Sequence, residues 1–201
     1  MIDPEIEFFL IRHGETAWNR EGRLQGQQDI PLNPLGRDQA AAAGRSLKQL
    51  LKQRGITDPS TLDFVASPLG RTRETMELVR GAMGLPPSIY RIDATLKELS
   101  FGAWEGLTWP EVKAIAPSQL KERKRHKWGF VPPDGESYRL LGDRLRPWLG
   151  TVKHHDVVVA HGGVARALMH LIAGASTEDA VDADIWQGRV LSFNRKRCHW
   201  H

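Results

Sequence analysis

The chain has 201 residues, 40% of them hydrophobic and 26% charged, with a formal net charge of +4. That length suits one well-buried domain and is short for two, and the composition is that of a globular rather than a disordered chain. The mildly basic balance favours anionic ligands without requiring nucleic acid, and the single cysteine, Cys198, excludes an internal disulfide and a thiolate metal cluster.

Met1–Glu5 lacks the basic and apolar regions of a signal peptide, and no run approaches the roughly 18 apolar residues of a membrane span. A cytoplasmic protein with no membrane and no nucleic-acid partner is expected. Phe8-Phe9-Leu10-Ile11 predicts a buried strand that stops at Arg12-His13-Gly14-Glu15-Thr16, a charged pair followed by a tight turn. A polar loop from Asn19 to Asn33 follows. Pro34 then starts a helix in which Ala40, Ala43, Leu47, Leu50 and Leu51 recur at helical spacing, ending at Gly55.

Leu62–Ala66 predicts a second strand, broken by Ser67-Pro68, and a helix carrying Met76, Val79, Arg80 and Met83 closes at Gly84. Ser88–Ile92 predicts a third strand. Residues 107–150 are mostly helical in character and interrupted by Pro110, Pro117 and Pro132-Pro133. They read as an excursion from the sheet, a small cap, with a helix returning over Glu136–Leu149. Asp156–Ala160 is a continuous apolar run suited to a central parallel strand. It stops at His161-Gly162-Gly163, ahead of a helix over Val164–Ala173, and Arg189–Asn194 predicts a last strand. The fold class is α/β: one domain over residues 1–201, a three-layer α/β/α sandwich with a mostly parallel sheet.

Strand ends of a parallel sheet lie at one edge, so the residues after each strand converge. The first strand brings Arg12 and His13. The second brings Ser67-Pro68-Leu69-Gly70-Arg71-Thr72, with Arg71 one turn into a helix whose N-terminus favours anions. The central one brings His161 and two glycines that allow close approach of a ligand to the backbone. Two arginines and two histidines make an anion-selective pocket, because arginine offers a planar fork to phosphate oxygens and a neutral imidazole is a nucleophile toward phosphorus. His13 is expected to face solvent at this edge.

With these residues the chain resembles the histidine phosphatase superfamily, the phosphoglycerate mutase-like proteins, from about Phe8 to Asn194. The motifs are Arg12–Thr16 with Trp18-Asn19, Arg23-Leu24-Gln25-Gly26, Asp29–Leu32, and Ser67–Thr72 with Thr75. Leu96-Lys97-Glu98 leading to Gly102-Ala103-Trp104-Glu105-Gly106, then Gly135-Glu136-Ser137 and Ala160–Gly163, complete the set. The resemblance implies that His13 attacks phosphorus and becomes a phosphohistidine. Arg12, Arg71 and His161 would hold the phosphoryl oxygens, with further hydrogen bonds from Asn19 and the Gly162 backbone. Glu98 would serve as general acid and base. Gln25 and Gly26 either contact substrate or only shape their loop. No cofactor and no metal are implied, the arginines supplying the positive charge. The partners implied are a small phosphorylated substrate and inorganic phosphate as product.

Other readings compete. Glu105, Glu111 and Glu136 share the excursion with Glu98, which motif position favours. Trp18, Trp104 and Trp109 read as packing residues. Lys121–Lys127 reads as a solvated helix face, the alternative being that it guides a polyanionic substrate to the pocket. Cys198-His199-Trp200-His201 reads as a frayed terminus. The expected activity is metal-independent phosphomonoester hydrolysis, of the phosphatase branch. Cofactor-dependent mutases carry Arg-His-Tyr after the glutamate and a tandem arginine pair, whereas Glu98 is followed by Leu99-Ser100-Phe101 and the excursion has no such pair. A mutase, a catalytically idle phosphate-binding module and a phosphoprotein phosphatase are the alternatives.

Overall fold

The structure, a computed structural model, describes residues 7–194 and 197–201. The expectation about Met1–Glu5 lies outside the described residues. Six strands form one mixed sheet in the order β3-β2-β4-β1-β5-β6: β1 (Glu7–Arg12), β2 (Phe64–Ala66), β3 (Arg91–Ile92), β4 (Val157–Ala160), β5 (Val190–Asn194) and β6 (Arg197–Trp200). The pairings β1–β4, β4–β2 and β2–β3 are parallel, and β5 and β6 add antiparallel on the far side of β1.

Each central strand is apolar on both faces because both are covered. Phe9, Ile11, Phe64, Ala66, Val157 and Val159 pack under α2 (Pro34–Gln53) and α3 (Gly70–Met83). Their neighbours Phe8, Leu10, Val65, Val158 and Ala160 pack on the opposite face against α6 (Tyr138–Leu149) and α7 (Gly162–Leu171). One strand thus feeds two cores with a period of two. Pro34 stands first in α2, where Asn33 caps by accepting from Gly36 N at 2.8 Å.

The excursion holds α4 (Trp109–Ile115) and α5 (Pro117–Arg125), which pack through a small third cluster of Leu24, Trp104, Val112 and Leu120. Two other short helices, α1 (Ala17–Glu21) and α8 (Thr177–Asp182), complete the chain.

Several expectations are corrected. The loop over Asn19–Asn33 begins inside α1, held by a capping box between Thr16 and Asn19. The third strand shortens to Arg91–Ile92, both exposed, since it is the sheet edge and has no second neighbour to order Ser88–Tyr90. The Cys198–His201 segment is not frayed. Arg197–Trp200 pairs with β5, and Trp200 packs at 5.2 Å from Trp186.

Candidate active site

The strand register sets the site. Arg12 of β1 lies opposite Ala160 of β4, and Ala66 of β2 opposite Val159. The residues after β1 and β4 are therefore level, and Ser67 follows one register step behind: His13 N donates to Ala160 O at 3.0 Å and Ser67 N to Val159 O at 3.0 Å. Two β-ladders thus bring His13, Ser67 and His161 together, the two imidazole rings 5.3 Å apart. Gly14 is needed for packing rather than for the ligand: a Cβ there would sit 2.1 Å from Gly36 O, where the turn crosses the start of α2.

His13 is only 2% exposed, so the expectation of a solvent-facing ring is corrected. Its Nδ1 lies 2.8 Å from Gly14 O. A carbonyl only accepts, so Nδ1 carries the proton and Nε2 keeps its lone pair. Burial, with the Arg71 and Arg12 charges, holds this imidazole well below the usual histidine range, and hence neutral. His161 is wholly buried and held low by the same causes. Its Nε2 is 2.7 Å from Ser67 Oγ and its Nδ1 is 3.4 Å from Arg71 Nη2. A guanidinium only donates, so Nδ1 accepts from Arg71 and the proton sits on Nε2, which donates to Ser67 Oγ.

Arg71 is the second residue of α3, inside its first turn rather than one turn in. Its guanidinium donates to Gln28 O at 2.5 Å and to Gly26 O at 2.8 Å, tying the loop of α1 to the site. Arg12 Nη1 donates to Ile185 O at 2.7 Å. Burial pushes Arg12 down to about 10 and lowers Arg71, yet both remain cationic at neutral pH. The Nε donors of Arg12 and Arg71 are buried with no hydrogen-bond partner. Orphaned buried N–H groups are rare, and both of these belong to residues that line one cavity.

Glu98 is pinned from two sides. Oε1 accepts from Leu99 N at 2.8 Å, and Oε2 accepts from Gly163 N at 3.0 Å in the first turn of α7. The missing side chain of Gly163 leaves room for this carboxylate, since a Cβ would stand 2.3 Å from Glu98 Oε1. The competing carboxylates are engaged elsewhere. Glu105 Oε1 accepts from Gln27 N, Phe101 N and Ser100 Oγ, Glu111 closes the capping box of α4, and Glu136 pairs with Arg144.

A cavity of about 140 Å³ brings together Arg12, His13, Asn19, Gln25, Gly26, Arg71, Glu98 and Gly162; His161 lies behind Arg71 and does not line it. At about 30 Å³ per water, this volume takes a tetrahedral anion but not a sugar. Asn19 Oδ1 is occupied by Thr16 N and Gln187 Nε2, which leaves its Nδ2 for a ligand. Gln25 likewise accepts from Thr16 Oγ1 at 3.0 Å. Gly26 shapes its loop: φ is +51°, its carbonyl holds Arg71, and a Cβ would strike Glu105.

Sequence reasoning missed Arg166, Tyr138, Arg23, Leu99 and Phe101 in the lining. Arg166 was within reach, lying four residues after Gly162 on the same face of α7. It also missed Arg144, which donates to Glu136, Thr95 O, Lys97 O and Glu98 O and so clamps the turn that presents Glu98.

The family model of the histidine phosphatase superfamily, branch 1, matches residues 8–201. The probable phosphoglycerate mutase GpmB of Citrobacter koseri is 34% identical over 84% of this chain and 75% of its own length. Among solved structures, TTHB049 from Thermus thermophilus is 35% identical, with a TM-score of 0.68 over 93% of this chain and 92% of its own. A mycobacterial glucosyl-3-phosphoglycerate phosphatase in complex with VO3 is 26% identical, with a TM-score of 0.76 over 98% and 96%.

Proposed function

The chain belongs to the histidine phosphatase superfamily, branch 1, and on that footing we propose that it is a phosphomonoesterase acting through a phosphohistidine on His13. The observation that carries this reading is a small cavity lined by the cationic Arg12 and Arg71 together with a neutral His13 and Glu98. His13 Nε2 attacks phosphorus as the ester P–O bond breaks. Glu98 gives its proton to the departing alkoxide, then takes one from the water that attacks the phosphoenzyme and frees phosphate. Arg12 and Arg71 meet the charge that develops on the phosphoryl oxygens. His161, behind Arg71, orients that guanidinium: Nδ1 accepts from Arg71 Nη2 and Nε2–H donates to Ser67 Oγ. The related phosphatase that binds VO3 is consistent with a pocket for a phosphate-shaped anion. A soluble cytoplasmic enzyme is part of the same proposal; no described helix is long and apolar enough to cross a membrane.

The test is phosphate release from a panel of phosphomonoesters, with and without EDTA, by wild type and His13→Ala. Release expected in EDTA and absent from the variant supports the reading. No release from any ester, or release that survives in His13→Ala, overturns it.

A second reading, phosphoryl transfer between positions of a phosphoglycerate, is favoured by the name of the curated relatives. It requires the phosphoenzyme to be shielded from water. The 140 Å³ pocket instead shares Leu24, Phe101, Tyr138 and Arg166 with a much larger cavity through which water has access. Interconversion of 3- and 2-phosphoglycerate faster than phosphate release would decide for the mutase.

A further inference from the structure

Beside the phosphate pocket lies a cavity of about 1170 Å³ between the excursion and α7–α8. Ligand sites for drug-sized molecules span about 300–1000 Å³, so this space is far larger than a phosphoryl group needs. It is walled by six lysine and arginine side chains against two carboxylates, Glu178 and Asp182. Asp182 is already neutralised by Lys127, whose Nζ lies 2.5 Å from Oδ1.

Two of the six cations differ from a solvated surface. Arg123 is only 8% exposed, and its guanidinium lies over the Trp109 ring at 4.5 Å. The basic run is therefore not a uniformly solvated face: Lys121 and Lys124 are exposed, while Arg123 turns inward. Arg166 donates from Nε to Ala183 O and lines both cavities. A Cβ on Gly162 would lie 3.5 Å from Arg166 Nη1 and 3.6 Å from Arg12 Nε, so the two guanidiniums flank this glycine. Among the described residues, no carboxylate forms an ion pair with Arg123 or Arg166. Burying a guanidinium without a counter-charge is costly; Arg123 is such a group, and the half-buried Arg166 shares its cavity and also lines the phosphate pocket.

We propose that the substrate is a phosphomonoester whose leaving group fills the large cavity and carries a second anionic group, a phosphate or a carboxylate, paired with Arg123 and Arg166. This rests on the phosphomonoesterase reading and adds to it the substrate class. The second anion supplies the missing counter-charge, and the Trp109 face keeps the Arg123 fork oriented toward it.

The test separates the two claims. Phosphate release from p-nitrophenyl phosphate by wild type reports on the phosphomonoesterase reading alone. Affinity is then measured by calorimetry on the full-length His13→Ala protein, so that no ester turns over. Two matched pairs are used: 3-phosphoglycerate against glycerol 3-phosphate, and fructose 1,6-bisphosphate against fructose 6-phosphate. In at least one pair the doubly anionic member is expected to bind tenfold tighter or more, and the pair that shows it names the second anion. Adding Arg123→Gln is expected to erase that ratio, Arg123→Lys to restore part of it, and Lys121→Gln, on the outer face of α5, to leave it unchanged. Equal affinities within both pairs, or no binding of any member, overturns the proposal. So does a preference that survives Arg123→Gln.

Discussion

Glu98 shows how closely the chemistry is tied to single atoms. Its carboxylate rests where a Cβ on Gly163 would be, 2.3 Å from Oε1. The obstacle to Gly163→Ala is the end of a flexible side chain, so the fold yields at little cost while the carboxylate is displaced. The expected result is a stability loss within about 1 kcal/mol, together with a fall of about 10- to 100-fold in kcat/KM for alkyl phosphates, part of the general-acid contribution. Hydrolysis of p-nitrophenyl phosphate, whose leaving group needs less protonation, is expected to fall less. Equal losses on both substrates would show that Glu98 is not the acid. Asn19, Gln25 and Gly26 illustrate why motif position alone does not define a contact. Each lines the cavity, yet each spends a polar atom or its missing side chain on holding the loop.

At the scale of elements, Arg144 of α6 binds together parts that lie far apart in sequence. It holds Glu136 through two of its nitrogens and donates to the carbonyls of the 95–98 turn. Arg144→Ala leaves the Thr95 and Lys97 carbonyls and the half-buried Glu136 carboxylate without this donor, while Glu98 O keeps Gln27 Nε2. The pair lies between the buried and exposed limits for ion pairs, so a loss of about 2 kcal/mol is expected. In a chain of this size that lowers Tm by roughly 4–8 °C. Calorimetry reads the stability, and kcat on alkyl phosphates should drop with KM little changed, because the Glu98 backbone loses one of its two side-chain anchors.

The elements that bear the motifs were legible because each follows a strand buried on both faces, where apolar runs are unbroken. What stayed hidden was short or lay at the rim. In α1 no residue is buried, in α8 only Ala180 and Val181 are, and β6 alternates exposed and half-buried side chains. None of these produces a hydrophobic period long enough to read. Arg123 was misjudged with its run for a related reason: one inward residue per helical turn is invisible among charged neighbours until Trp109 supplies its place.

Across the whole molecule, two neutral buried histidines make stability depend on acidity. An unfolded chain takes up a proton on each near pH 6.5, whereas folding holds His13 and His161 well below that value. Below pH 6.5 the unfolded state therefore binds protons that the folded state refuses, and stability falls as pH drops; above it the contribution is complete. Each group supplies a slope of at most about 1.4 kcal/mol per pH unit. Burial lowers His155 and His201 as well, with the same sign. Unfolding midpoints measured from pH 8 to 5 should be level at first and decline below about 6.5. Saturating inorganic phosphate should reduce the decline, because an anion beside the imidazoles favours their protonated form. A midpoint that rises on acidification would contradict this account.

The sheet order also imposes a timetable on synthesis. β1, the strand that leads into His13, has no neighbour until β4 and β5 arrive, and β4 begins about 145 residues later in a chain made at roughly 5–20 residues per second. For roughly 7–30 s on the ribosome, Phe8-Phe9-Leu10-Ile11 is therefore an apolar strand with both edges open. The helices α2 and α3 emerge early and pack extensively on each other, giving one of its faces temporary shelter. The ladder that sets His13 beside His161 closes only once synthesis has passed β4, in the last quarter of the chain.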